Sequence, residues 1–237
     1  MKINKLAWLL SLLILMSSIG GNAQNLDEII TKHISAIGGK DNWNKLKSMR
    51  TESSMKSNGA EIVFKSIAVK DKGTRSDIIL MGMTGWSIVT KEGGWSMYPW
   101  AGQTKAEAMT ADDLKMAVEE LDMLEDFLTY KEKGKSIDFY GMEDVDGTEC
   151  FKIKMIDKNQ KESTYFIDPD NYMTIKITSK VKSNGQENEY STFFSNYEKL
   201  PEGIVMPMSS TNGWSENRIT KIEVNVSVDD KLFVPTK

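Results

Sequence analysis

Between residues 150 and 181 the chain reads CFKIKMIDKNQKESTYFIDPDNYMTIKITSKV, and this stretch decides the fold class. Phe151, Ile153 and Met155 alternate with Lys152 and Lys154. Further on, Met173, Ile175, Ile177 and Val181 alternate with Thr174, Lys176, Thr178 and Lys180. Successive side chains of a strand point to opposite faces, so this alternation predicts a sheet with one apolar and one wet face. Asp157-Lys158-Asn159 and Asp168-Pro169-Asp170 interrupt it as turns, because Asn and Asp tolerate the backbone that tight turns need.

The same grammar extends outward in both directions. Asp146-Gly147, Asn184-Gly185, Glu202-Gly203 and Asn212-Gly213 punctuate the second half. Asn58-Gly59, Asp71-Lys72-Gly73, Gly82 to Gly85 and Gly93-Gly94 punctuate the first. Near the end, Ile222, Val224, Val226 and Val228 alternate with Glu223, Asn225, Ser227 and Asp229. The runs between these signals amount to about eleven or twelve strands. A packed sandwich and a curled half-barrel both satisfy the pattern.

Helical spacing occurs in two places. Leu26, Ile29, Ile30, His33, Ile34 and Ile37 recur at that spacing before Gly38-Gly39, which stops the helix, and a short turn is expected from Asp41 through Trp43 to Leu46. In mid-chain, Thr110 to Asp113 forms a capping box. Leu114, Ala117, Val118, Leu121, Leu124 and Leu128 then make one apolar stripe on a single expected helix with acidic outer faces.

The N-terminus has the form of an export signal. Lys2 and Lys5 precede an apolar run from Leu6 to Ile19, shorter than the roughly 20 residues a membrane span needs, and Gly21-Asn22-Ala23 supplies small residues for cleavage. The expected organisation is a signal peptide over 1–23 and a single domain over 24–237, free in the periplasm. With no Cys near the cleavage point, no lipid anchor is expected there.

Net charge is −4, and more negative once Lys2 and Lys5 are removed, which disfavours nucleic acid and anionic surfaces as partners. Cys150 is the one cysteine, so no internal disulfide is available.

Catalytic chemistry is thin. His33 is the only histidine and lies on an apolar stripe, and no Gly-x-Ser-x-Gly elbow accompanies it. One His and one Cys make a poor zinc set. Cys150 has no second His or Asn partner for thiol chemistry. Asp168-Pro169-Asp170-Asn171 lacks the Gly and Glu of a calcium loop and reads as a turn. No phosphate-binding Gly-Lys-Ser/Thr loop occurs. The expectation is a protein without catalytic residues, metal or cofactor.

Patterning favours a cavity instead. About eight strands already give a barrel interior that side chains fill, so a longer curled sheet encloses more space. Fifteen Met residues supply a polarisable lining. The candidate apolar lining comprises Phe64, Phe151, Ile153, Met155, Ile175 and Ile177 on strands, Trp86, Trp95 and Trp100 at a mouth, and Leu114, Val118 and Leu121 on a lid.

Several stretches together resemble a known family. The helix ending Ala36-Ile37-Gly38-Gly39-Lys40 is followed by Leu46-Lys47-Ser48-Met49-Arg50, then by Gly94-Trp95-Ser96-Met97-Tyr98-Pro99-Trp100 and the acidic helix. The second half has Tyr165-Phe166-Ile167-Asp168-Pro169-Asp170-Asn171-Tyr172 before an amphipathic strand. This layout resembles the LolA-like outer-membrane lipoprotein-sorting proteins, particularly divergent members from Bacteroidota. The resemblance implies a mostly β fold, an incomplete antiparallel barrel of about eleven strands with helices as a lid or plug. It further implies a carrier of lipoprotein acyl chains or lipids, working between an inner-membrane donor and an outer-membrane acceptor. The carriers often place an Arg-Pro pair on an early strand. Here the matching stretch is Lys70-Asp71-Lys72-Gly73-Thr74-Arg75, and the pair is absent.

The expected function is thus a periplasmic carrier or binder of acylated molecules. The rivals are an envelope sensor or protein-interaction module on the same fold, and an unrecognised hydrolase.

Overall fold

The computed structural model describes residues 25–57, 59–119, 121–183 and 186–235. The expected export signal and the turn residues Asn58, Asn184 and Gly185 lie outside the described residues. Among those described, no helix is long and apolar enough to cross a membrane.

The chain is mostly β. Among the described residues, thirteen strands form one antiparallel sheet: β1 (Ser48–Ser57), β2 (Ala60–Val69), β3 (Gly73–Leu80), β4 (Met83–Thr90), β5 (Gly94–Met97), β6 (Glu107–Ala108), β7 (Ser136–Val145), β8 (Thr148–Ile156), β9 (Glu162–Ile167), β10 (Thr174–Ser183), β11 (Gln186–Lys199), β12 (Val205–Thr211) and β13 (Ser215–Val224). Their order is β6-β5-β4-β3-β2-β1-β13-β12-β11-β10-β9-β8-β7. Every link but β1–β13 joins strands that follow one another in the chain, so most pairings close short loops at small entropic cost. The sheet is not closed, and β6 and β7 are its two edges. The strand number exceeds the expected eleven or twelve; β5 and β6 are too short to display alternation.

The described residues pack as two compact units, one running to Ile37 and resuming over Tyr130–Ser191, the other comprising Gly38–Thr129 and Thr192–Lys237. In the first unit, helix α1 (25–36) buries Ile29, Ile30 and His33, as its apolar spacing predicts. The His33 Nδ1–H donates to the Tyr172 carbonyl at 2.7 Å, tying the helix to the turn after β9. On β8, Ile153 and Met155 are buried while Lys152 and Lys154 are only half-buried. The Lys152 and Lys176 ammonium groups lie 5.9 and 4.8 Å from the Phe166 ring centroid, so their stems cover that buried ring.

The second unit holds α2 (Lys40–Asn44), β1–β6, α3 (Ala111–Glu119), α4 (Asp126–Thr129), β12, β13 and a 3-10 turn at Asp230–Phe233. Ile67, Trp86, Ile88 and Phe233 form a buried cluster, against which Val69, Trp95, Val226, Val228 and Leu232 pack.

Three expectations need correction. The mid-chain stripe is not one helix, because α3 ends at Glu119 and a separate turn, α4, begins at Asp126. The Asp122 carboxylate accepts the Leu124 N–H at 2.9 Å and the Glu125 carboxylate accepts the Phe127 N–H at 2.8 Å. Both side chains take up backbone donors locally, and for Asp122 this is the competition that makes Asp poor inside helices and good at their starts. Strand β13 stops at Val224, since Asn225 takes a φ of 56°; Val226 and Val228 belong to the covering segment. Finally, a β-bulge between Thr174 and Lys176 makes Ile175 an extra residue on β10. Simple alternation does not hold there: residues 175–180 are all half-buried.

Candidate functional site

The pairing registers of β1–β5 sort their side chains into two faces. One face carries Met49, Ala68, Thr74, Val89 and Gly94 in one transverse row, with Met49 opposite Ala68, Ala68 opposite Thr74, Thr74 opposite Val89 and Val89 opposite Gly94. The next row consists of hydroxyls: Thr51, Ser66, Ser76, Ser87 and Ser96 stand opposite one another in turn across five strands. Ser66 and Ser76 share a hydrogen bond of 2.8 Å. Beyond them follow Ser53, Phe64, Ile78 and Gly85, and then Met55, Ile62, Leu80 and Met83.

Helix α3 covers the first of these rows. The Thr110 hydroxyl accepts the Asp113 N–H at 3.2 Å, the capping bond that starts the helix. Glycine at 94 lets the helix approach, because a Cβ there would stand 2.5 Å from Met109 Sδ and 3.1 Å from a Leu114 methyl. Between α3 and the sheet lies a cleft of about 340 Å³. Its walls are Met49, Thr51, Ser66, Ala68, Thr74, Ser76, Ser87 and Val89 from strands, with Met109 and Ala117 above. None of these side chains is charged. Half are apolar and the rest offer hydroxyls, so the cleft suits a neutral, mainly apolar guest with a few carbonyl or hydroxyl groups.

Within the second unit, the sequence-predicted lining residues stand on both faces of the sheet. Phe64 stands on the cleft face, one row beyond the hydroxyls. Trp100 lies on that face too, over Gly85, where a Cβ would come within 2.6 Å of its ring, and it stacks on Tyr98 at 5.4 Å. Leu114 packs over Gly94, and half-buried Val118 follows it on α3. Leu121 has left the helix, its N–H donating to the Val118 carbonyl at 3.2 Å. Trp86 and Trp95 are on the opposite face, in or against the Ile67–Phe233 cluster. Phe151, Ile153, Met155, Ile175 and Ile177 belong to the other unit. There Phe151 sits between the rings of Phe139 and Tyr172, at 6.2 and 6.0 Å, and Ile177 pairs with Tyr165.

Arg75 also faces away from the cleft. Its guanidinium donates to Asp77 Oδ1 at 2.8 Å and to the Leu232 carbonyl at 3.3 Å, and lies 5.4 Å from the Trp86 ring centroid. It anchors the C-terminal segment. The hydroxyl row and Ala117 were missed from the sequence. Even spacing of Thr51, Ser66, Ser76, Ser87 and Ser96 relative to the turns was the available signal.

The two nucleophile candidates are packed rather than poised. Cys150 is fully buried, and burial, then the charges of Asp168 and Asp144, push its thiol up to about 11. A thiol so raised stays protonated at neutral pH and is a poor nucleophile. His33 is buried on α1 in its bond to Tyr172. Among the described residues, no group of three or more His, Cys, Asp or Glu is placed to hold a metal ion.

The fold that carries this cleft has solved relatives. A DUF1329 family protein from Desulfovibrio piger superposes with a TM-score of 0.56 at 15% identity, over 87% of this chain and 96% of its own. A domain assigned to outer-membrane lipoprotein sorting, from Vibrio parahaemolyticus, gives 0.54 at 15% identity over 87% and 95%. A LolA superfamily protein from Nitrosomonas europaea gives 0.52 at 8% identity over 84% and 96%. No family profile and no curated protein sequence matches the chain. What it shares with these structures is the fold: an unclosed antiparallel sheet with few, short helices. One of these structures is of a LolA superfamily protein, and the likeness to it is a likeness of fold.

Proposed function

We propose that this protein is a periplasmic carrier or binder of acylated molecules, with lipoprotein acyl chains as the first candidate cargo. It would act between a donor at the inner membrane and an acceptor at the outer membrane. The observation that carries the reading is the uncharged cleft of about 340 Å³ between α3 and β1–β4, a volume within the usual range for small-molecule sites of about 300–1,000 Å³. The likeness to a domain assigned to lipoprotein sorting supports it.

The physical chemistry of the cleft fits such a cargo. Each methylene moved out of water contributes about 0.8 kcal/mol, so an acyl chain supplies its own driving force. A charged head group would stay outside, since burying it unpaired among Met, Ala and Val side chains is prohibitive. Ester or amide carbonyls near the chain find donors in the hydroxyl row. The cover is easily displaced: α3 has nine residues, fewer than the roughly 12–15 an isolated helix needs to hold itself. Its order therefore depends on Leu114 and Ala117 resting on the sheet or on a guest.

Titration of the purified protein with a fluorescent fatty acid and a fluorescent diacylglycerol tests the reading. Saturable binding of at least one probe is expected. Failure to bind either would remove the carrier reading.

A further inference from the structure

The second unit has a distinct apolar end. Strands β1 and β12 run toward it and β2, β4 and β13 start from it, so the β3–β4 and β12–β13 turns emerge there together. Met81 and Gly82 form the first turn, with Met81 held at a φ of 52° and 83% exposed. Trp214, in the second, is also 83% exposed, and its N–H is fixed by the Asn212 side chain at 3.1 Å. The two turns are separated by four strand spacings, about 19 Å. Between them, on the cleft face, runs the apolar row Met55, Ile62, Leu80 and Met83.

Two large side chains are thus held out on separate turns at one end of the sheet. Trp is suited to the boundary between head groups and acyl chains, with its apolar ring and one N–H donor. Nearby charge is balanced, since Arg218 pairs with Glu216 at 3.4 Å and Lys56 stands opposite Glu61 on β2. Nothing there selects an anionic surface.

We propose that this end of the sheet docks on a zwitterionic lipid surface, with Met81 and Trp214 entering the head-group boundary. Docking would bring the apolar row, and the cleft face behind it, to the membrane. It does not depend on what the cleft holds.

Flotation of the full protein with phosphatidylethanolamine–phosphatidylcholine vesicles, half of them carrying acyl-brominated lipid, tests this. The protein should float, its Trp emission should be quenched by brominated lipid, and binding should persist in about 0.5 M NaCl, where exposed charges are screened. Met81→Asp and Trp214→Asp should each raise the half-saturating lipid concentration about tenfold. Trp214→Phe should keep most of the binding and lose most of the quenching. Val234→Asp, at an exposed position by the opposite end near the Lys72–Asp230 pair, should change neither. Absence of flotation, loss of binding in salt, or Asp variants that bind like wild type would overturn the proposal. Titrating the same variants with the fluorescent acyl probes separates the two readings. Intact probe binding without flotation refutes docking alone, and flotation without probe binding refutes the carrier alone.

Discussion

Ala68 stands in the centre of the cleft floor, flanked by Met49 and Thr74 on neighbouring strands. Replacing it with Leu puts an isobutyl group into the space under Ala117. If that space is reserved for a guest, the new side chain takes the guest's place. Three added carbons correspond to about 2 kcal/mol of burial at about 0.8 kcal/mol each, offset by about 0.5–1 kcal/mol of lost rotamer freedom. Folding stability should then be unchanged or rise by about 1 kcal/mol. A ligand that loses a similar length of buried chain should bind about 2 kcal/mol more weakly, roughly 30-fold. If the face is instead a tightly packed core, the same change overpacks it and costs about 1–3 kcal/mol. Probe titration and urea unfolding of Ala68→Leu, on the same preparation, distinguish these outcomes. A loss of stability beyond about 1 kcal/mol, with acyl-probe affinity unchanged, would refute the reasoning.

Other predictions concern the scaffold. Gly85→Ala should destabilise by about 1–3 kcal/mol in denaturant unfolding, because its Cβ would stand 2.6 Å from the Trp100 ring and 2.7 Å from the Met97 carbonyl. Glu162 bridges Lys154 at 3.0 Å and Lys180 at 3.3 Å, and the Lys154 hydrogen bond, reinforced by Lys180, holds its carboxyl below the ordinary 4.5 despite some burial. A lowered carboxyl stabilises above its unfolded pKa, so Glu162→Gln should cost about 0.5–1 kcal/mol at pH 7. That difference should fade as pH falls through 4.5 and below the lowered folded value; a constant difference across pH unfolding curves would contradict it. Iodoacetamide at pH 8 should leave Cys150 unmodified in the native protein and alkylate it in urea, as mass spectrometry would show; rapid native labelling would contradict its burial.

The sequence was most legible where one physical rule acted alone. Alternation at Phe151–Met155 and helical spacing at Ile29–His33 appear as expected, because each element buries one face. Legibility failed where a local bond or a register decided. Asp122 and Glu125 divide the mid-chain stripe through side-chain bonds that spacing does not reveal. The bulge at Ile175 shifts the phase of β10. Trp86, Trp95 and Trp100 are close in sequence, but Trp86 and Trp95 face the C-terminal segment while Trp100 covers Gly85 on the other side. The hydroxyl row was hidden for a similar reason. Serine is common in turns and on wet faces, and only the pairing of five strands aligns these side chains.

The central claim is that acylated molecules occupy the cleft beneath α3. Its most direct test is mass spectrometry of the protein released gently from its own cell envelope, native and then extracted. The account predicts acyl-bearing molecules bound at about one per polypeptide, and depleted in Ala68→Leu released the same way. Wild-type protein carrying no such molecule, or an equal load in wild type and Ala68→Leu, would contradict it.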